Sequence, residues 1–553
     1  MQLMSRSARR LAAGLSAGAL VLVAGCGGRS ADPAPSGSGS GQAVADLLKL
    51  GSNTPNANGE TGTVTWALYR NISTLDPASA FDYPENTVIS SLCDAVLRQQ
   101  PDGSITPGLA SYTFQTPTSL VLTVSSSARF WDGKPVTADD VAFSLQRHRE
   151  AQVASFYSAN FNRVKSIVTS GNTVTITLSA PDYWLPGELS AMGGIVLERS
   201  YVESKGLKYG TPQGGVMCSG PFELKKWTSG QEVQVIRNPN YWDSSLQAKA
   251  TEIDFVGVSD AAALTSGLST GQIDGTWITD TSNIAQLQRI SGVKVYLGPS
   301  LETEFLIPSN LRGVLGSQKV RQALSLAFNR TSYINAVYDG DAAVPRLPSN
   351  PGTWGFAKNT FSAAWGQTPA MTQNLAKAKQ LIQEAGATGK KFVIGTSTDL
   401  ATVATEANAW QQAAISIGLN ATLYNVSAEN YINFFTDASA RQHVDAFSTT
   451  TYGDYADPSA LDSTYVLPGG SQNYSNYNNP TIAALLDKAR SEVDPTQRAK
   501  DDIAAEQAML IDLPWIPVAH PASFLVLNKK LTGAPTSFAY MQAPWLARVG
   551  SAS

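Results

Sequence analysis

The 553 residues are 43% hydrophobic and 15% charged. That composition can bury a large core, the length fits roughly two to four domains, and a disordered chain is excluded. The formal net charge is −4 and grows more negative once the leader arginines are set aside, which argues against a phosphate-tracking surface and against nucleic acid as a partner. Three histidines (His148, His443, His520) and three cysteines (Cys26, Cys93, Cys218) are too few for most multi-ligand zinc, iron–sulfur or CxxC redox sites, so neither a metal nor a cofactor is expected.

Residues 1–25 read as a leader: Arg6, Arg9 and Arg10, then an apolar stretch from Leu11 to Ala24. At about 1.5 Å per residue that stretch reaches only about 21 Å, short of the roughly 30 Å hydrocarbon core, so it is a signal peptide and not a span. The run Val23-Ala24-Gly25-Cys26-Gly27 resembles the bacterial lipobox. That likeness implies a diacylglyceryl thioether on Cys26, and acyl chains on the new N-terminus suffice for stable anchoring to a membrane. A Gly/Ser-rich spacer follows to residue 61. Two catalytic-looking motifs are discounted. Gly14-Leu15-Ser16-Ala17-Gly18 has the letters of a nucleophile elbow but lies in the leader, and Gly386 to Lys391 lacks the spacing and final Ser/Thr of a phosphate-binding loop.

In the body, Val64–Leu68 alternates as a strand, and Ile89 to Leu97 shows helical spacing of Ile89, Leu92 and Val96. Leu120–Val124 and Thr173–Leu178 read as β-branched strands. Between them Asp132-Gly133 marks a turn and Thr137-Ala138-Asp139-Asp140 a capping box opening a helix with Val141 and Leu145; His148 is expected on that helix's solvated face. Gly220–Leu224 and Glu232–Ile236 predict a hairpin closed by Arg237 to Trp242. A second α/β block starts near Glu302, with helices at Val320–Phe328 and Leu375–Ala385, the latter stopped by Gly386, and strands at Lys391–Gly395 and Asn420–Asn425 around a helix carrying Trp410. This strand-helix-strand order predicts a largely parallel sheet. His443 is expected in a loop.

Five segments carry a resemblance: Leu75-Asp76-Pro77; Phe130 to Val141 with Phe143-Ser144; Ser219-Gly220-Pro221-Phe222; Asn238-Pro239-Asn240-Tyr241-Trp242; and Val320-Arg321-Gln322-Ala323-Leu324. In this order and spacing, from about residue 62 to the end, the chain resembles the family 5 solute-binding proteins of ABC importers, the dipeptide and oligopeptide binding group. The resemblance implies an α/β, two-lobe periplasmic-binding-protein-like (Venus flytrap) fold with a subdomain inserted in lobe I. Lobe I would be 62–299 plus a return at 519–553, which starts near His520, and lobe II 300–518. It further implies a monomer on the outer face of the bacterial cytoplasmic membrane that is not an enzyme, binds a peptide or other small solute between its lobes and delivers it to a permease with a separate ATPase.

By the same resemblance, Asp454 in Thr449-Thr450-Thr451-Tyr452-Gly453-Asp454 pairs with a peptide α-ammonium, and the strand through Thr450, Tyr452 and Gly453 offers its backbone to an extended ligand. The alternative is that Asp454 only ends a strand. Asp457 before Pro458 fits a turn or helix cap. Trp354, in Trp354-Gly355-Phe356, and Tyr83 are candidate cleft residues, with core packing as the other reading; Trp410 fits the core. No arginine or lysine matches the family's carboxylate-binding positions. Cys93 and Cys218, left over in an oxidising compartment, suggest a disulfide, with two buried thiols as the alternative. An oligosaccharide cargo on the same fold, a sensing role and an extracellular lipoprotein hydrolase are the competing readings.

Overall fold

The computed structural model describes residues 47–553; the leader, Cys26 and most of the spacer lie outside them. Thr61–Leu68 is the central strand of a seven-stranded sheet, flanked in parallel by Ala250–Gly257 and Gly275–Ile278. Its alternation buries Val64, Trp66 and Leu68. The expected hairpin, Phe222–Thr228 with Glu232–Arg237, extends one side antiparallel; Ser523–Asn528 and Val293–Gly298 extend the other.

A second, six-stranded sheet runs Ala342–Ala343, Ile516–Pro521, Glu302–Pro308, Ala446–Tyr452, Lys391–Thr396, Asn420–Asn425. Lys391–Thr396 is parallel to Asn420–Asn425 and to the start of the Ala446 strand, as strand-helix-strand order requires, but the remaining pairs are antiparallel. The expectation of a largely parallel sheet is therefore corrected to a mixed one. The physical reason is that Glu302–Pro308 and Ile516–Pro521 are tied to the first sheet through crossings too short for a helix, at 299–301 and Ala522, so no βαβ unit sets their direction.

A four-stranded antiparallel sheet (Ala110–Thr116, Ser119–Val124, Thr173–Leu178, Val164–Ser170) packs on the Ala138–Arg147 helix. The capping box closes reciprocally: Asp140 N donates to Thr137 Oγ1 at 3.1 Å and Thr137 N to Asp140 Oδ2 at 3.0 Å. His148 is not on a solvated face. It is 3% exposed, its Nδ1 lies 2.7 Å from Ser155 Oγ, it stacks on Phe161, and burial pushes its pKa down to about 4. The helix expected at Ile89–Leu97 starts earlier and stops sooner, at Tyr83–Leu92. Asp82 caps it, Pro84 fits its first turn, and Cys93 is extended because its sulfur turns to Cys218; Leu97–Gln99 is a strand. Trp410, on Ala401–Ser416, is fully buried against Phe328. No described helix is long and apolar enough to cross a membrane.

Candidate functional site

The Ala446–Tyr452 strand is paired along its whole length with Glu302–Pro308 but meets Lys391–Thr396 only at Ala446. Beyond Ala446 its second edge therefore has no strand partner among the described residues. The strand ends at Tyr452 and is followed by Gly453, where an added Cβ would lie 2.9 Å from the Ala460 Cβ, and then by Asp454.

Asp454 is partly buried. Its Oδ1 accepts a hydrogen bond from Gln542 Nε2 at 3.3 Å and its carbonyl accepts one from Gln99 Nε2 at 3.2 Å. Burial pushes its pKa up to about 7, offset only by Gln542 and by no cation. Tyr452 and Tyr83 stand edge to face with ring centroids 4.8 Å apart, and Phe538 packs on both. The Tyr452 hydroxyl donates to the Phe81 carbonyl at 3.0 Å, and the Tyr83 hydroxyl to Glu302 Oε1 at 2.5 Å. Burial raises Glu302 to about 7. Tyr83, Tyr452, Gly453 and Asp454 are thus brought together beside the 299–301 crossing.

Thr450 sits farther up the strand, opposite Glu304 in register. Glu304 accepts from the Tyr333 and Tyr338 hydroxyls at 2.5 and 3.0 Å; burial raises both its carboxyl and that of Glu406, and Glu304 raises Glu406 further. Trp354 belongs mainly to a small core with Phe361 and Trp365, 2% exposed. It also forms part of the wall of a cavity of about 290 Å³ lined by Gln99, Gly103, Leu301, Lys358, Ala456 and Phe538. Asp457 caps the Pro458–Val466 helix through Ser459 N at 2.9 Å and pairs with Arg498. His443 is exposed and stacks on Tyr424, and His520 is buried between Thr303 and the Leu347 carbonyl. Among the described residues no group of His, Cys, Asp and Glu is arranged to hold a metal ion.

Cys93 and Cys218 are disulfide-bonded, Cα atoms 4.8 Å apart and both buried. A further set of residues escaped the sequence reading. Glu188, 7% exposed, accepts from Asn160 Nδ2 at 2.6 Å, and Asp182 pairs with Arg490 through bonds of 2.8 and 2.6 Å. Gln99 and Gln542 reach Asp454 from distant parts of the chain. No local signal marks these side chains, because each acquires its neighbour only when the sheets are brought together.

The fold and this open strand edge fit a solute-binding protein of two α/β lobes. The bacterial extracellular solute-binding proteins, family 5 Middle, match residues 104–473, and the chain belongs to that family. It is 25% identical over 494 residues to the periplasmic murein peptide-binding protein MppA of Escherichia coli, covering 84% of this chain and 88% of that one. It is also 25% identical over 478 residues to the periplasmic oligopeptide-binding protein OppA of Salmonella typhimurium, covering 81% and 85%. The solved structure of the periplasmic binding protein DppA from Helicobacter pylori, in complex with the peptide STSA, superposes with a TM-score of 0.78 at 20% identity, over 89% of this chain and 99% of that one. The family is one of binding proteins and not of enzymes, so the hydrolase reading is set aside.

Proposed function

We propose that this chain captures a short peptide or peptide-like solute between two lobes, one of residues 62–299 with the return that follows the Ala522 crossing and one of residues 300–521, and hands it to an ABC permease driven by a separate ATPase. One observation carries the reading: a strand edge left open past Ala446 that runs directly into Asp454, a carboxylate without a cation. An open edge hydrogen-bonds an extended main chain whatever its side chains, and an α-ammonium supplies the charge that a buried carboxylate lacks. Tyr83, Tyr452 and Trp354 supply apolar walls, Thr450 belongs to the ligand-facing strand and Gly453 follows its end. The names of MppA, OppA and the peptide complex of DppA agree with such a cargo. Closure follows from the additional contacts a ligand makes when both lobes reach it. Anchoring through a lipid on Cys26, on the outer face of the cytoplasmic membrane, and the monomeric state are parts of the same proposal; the anchor rests on the leader sequence.

Calorimetric titration of the protein with a free-amine tripeptide and its N-acetyl form tests the reading. Asp454→Asn is expected to weaken the free-amine peptide at least about tenfold and to spare the acetylated one. Equal binding of both peptides by wild type and variant would overturn it.

A further inference from the structure

We propose that the cavity beside the 299–301 crossing is a second binding site of this chain, and that it takes a small free acid, a carboxylate on an apolar body. The cavity has a volume of about 290 Å³, roughly twice the ~150 Å³ that admits a benzene ring. Its walls come from both proposed lobes: Asp102, Gly103 and Phe538 from one, Trp354 and Lys358 from the other. The chain just before the first sheet completes the wall with Leu47, Leu50 and Ser52. That segment is tied down at both ends. Thr536 N and Ser537 N donate to the Ser52 carbonyl at 3.0 and 3.3 Å, and Leu47 packs on the small core of Trp354, Phe361 and Trp365. Thr450, Tyr452, Gly453 and Asp454 are not part of the wall. The cavity shares Trp354 and Phe538 with the open strand edge but none of its polar groups, so the proposal does not rest on the peptide assignment.

The groups this wall leaves unsatisfied are donors. Trp354 and Ser537, 2% and 4% exposed, keep Nε1 and Oγ buried without a partner. Lys358 Nζ donates to the Asp102 carbonyl at 3.2 Å and forms no ion pair among the described residues. The one carboxylate on the wall, Asp102, is exposed and turned to Ser104, accepting from its N at 3.0 Å and its Oγ at 2.7 Å. Lys358 also opens the ten-residue helix Lys358–Gln367, whose N-cap is Ala357, a residue with φ +42° and no side chain to cap with. Thr360 N and Phe361 N return to the Ala357 carbonyl, whereas the amides of Lys358 and Asn359 have no acceptor among the described residues. An uncapped helix N-terminus attracts an anion through these free N–H groups and the helix dipole. Asn359 and Ser362 put that first turn on the cavity wall. An ammonium, two free amides, an indole N–H and a hydroxyl together ask for a negatively charged acceptor, and the two oxygens of a carboxylate accept several such bonds. Leu47, Leu50, Leu301 and Phe538 suit an apolar body behind it.

Hexanoate and 3-phenylpropionate are to be titrated calorimetrically into the protein beside hexanamide and 3-phenylpropanamide, which keep the apolar body and lose the charge. At least one carboxylate is expected to bind wild type about tenfold or more tighter than its amide. Lys358→Gln, at an exposed side chain, is expected to remove most of that preference, Lys358→Arg to keep it, and Ser537→Ala to weaken it. Wild-type protein that binds neither carboxylate tighter than its amide overturns the proposal, whether or not the variants fold. A preference unchanged in both Lys358→Gln and Ser537→Ala also overturns it, because the anion then sits elsewhere. Saturating Ala-Ala-Ala is expected to leave the carboxylate bound; displacement by the peptide assigns the cavity to the cargo and overturns the separate site. If no peptide binds, the Asp454 reading fails, and the carboxylate-to-amide ratio still decides this cavity.

Discussion

Asp454 makes the affinity for a neutral free-amine peptide depend on pH in a calculable way. Its carboxyl is raised to about 7 by burial, whereas a peptide α-amine titrates near 8. An ammonium–carboxylate contact needs the Asp454 carboxyl ionised and the peptide amine protonated. At pH 7.5 about three quarters of each population is in the right state; at pH 5.5 the amine is fully charged but only about 3% of Asp454 is ionised. Affinity for a peptide such as Ala-Ala-Ala should therefore peak near pH 7.5 and fall about 20-fold by pH 5.5, equivalent to about 1.8 kcal/mol. The assay is calorimetric titration at half-unit pH steps, with the N-acetyl peptide and Asp454→Asn as controls that should show no such rise. A free-amine profile flat between pH 5.5 and 7.5, or one that persists in Asp454→Asn, would refute the reasoning.

Three further outcomes are expected. The Cys93–Cys218 bridge closes a loop of 125 residues, worth about 5 kcal/mol in the chain-entropy treatment, so reduction should lower Tm by about 5 °C for a body near 500 residues; recovery of both cysteines as free thiols in non-reducing peptide mapping would sink this. Ligand-free protein should lose thermal stability between pH 6.5 and 8.5. Glu188, Glu302 and Asp454 hold protons in the fold up to about 7–8 that the unfolded chain has already released, so their contribution is full in acid and is lost as pH rises through the folded values. The buried His148 and His520, lowered to about 4 and 3, act in the opposite direction but only below about 6.5, which leaves this window to the carboxyls; a Tm that is constant or rising there contradicts the burial argument. Gly187→Val should hold the lobes apart by pushing on Tyr455, so small-angle scattering of peptide-saturated variant should keep the larger radius of the ligand-free protein, and a wild-type closure would show that the contact is not part of the closed form.

The local patterns were legible because they are set by near neighbours. The Thr137–Asp140 capping box, the Gly386 helix stop, the 222–237 hairpin and the parallel Lys391 and Asn420 strands all form where sequence spacing places them, and the ordered motifs from Leu75 to Leu324 pointed to the family. Long-range placement was not legible in the same way. Helix periodicity through Ile89–Leu97 could not show that Cys93 must turn out to reach Cys218, and the polarity of a residue like His148 says nothing of the Phe161 ring that covers it. Strand direction in the second sheet is decided by two short crossings whose ends lie more than 200 residues apart in sequence. The meeting of Gln542 with the Asp454 carboxylate, and of Gln99 with the Asp454 carbonyl, exists only once the sheets are assembled. Sequence by itself determined the elements and the family, since these depend on local spacing and motif order. Tertiary structure alone decided which charges face one another without a partner, because burial and Coulomb coupling act through space and not along the chain.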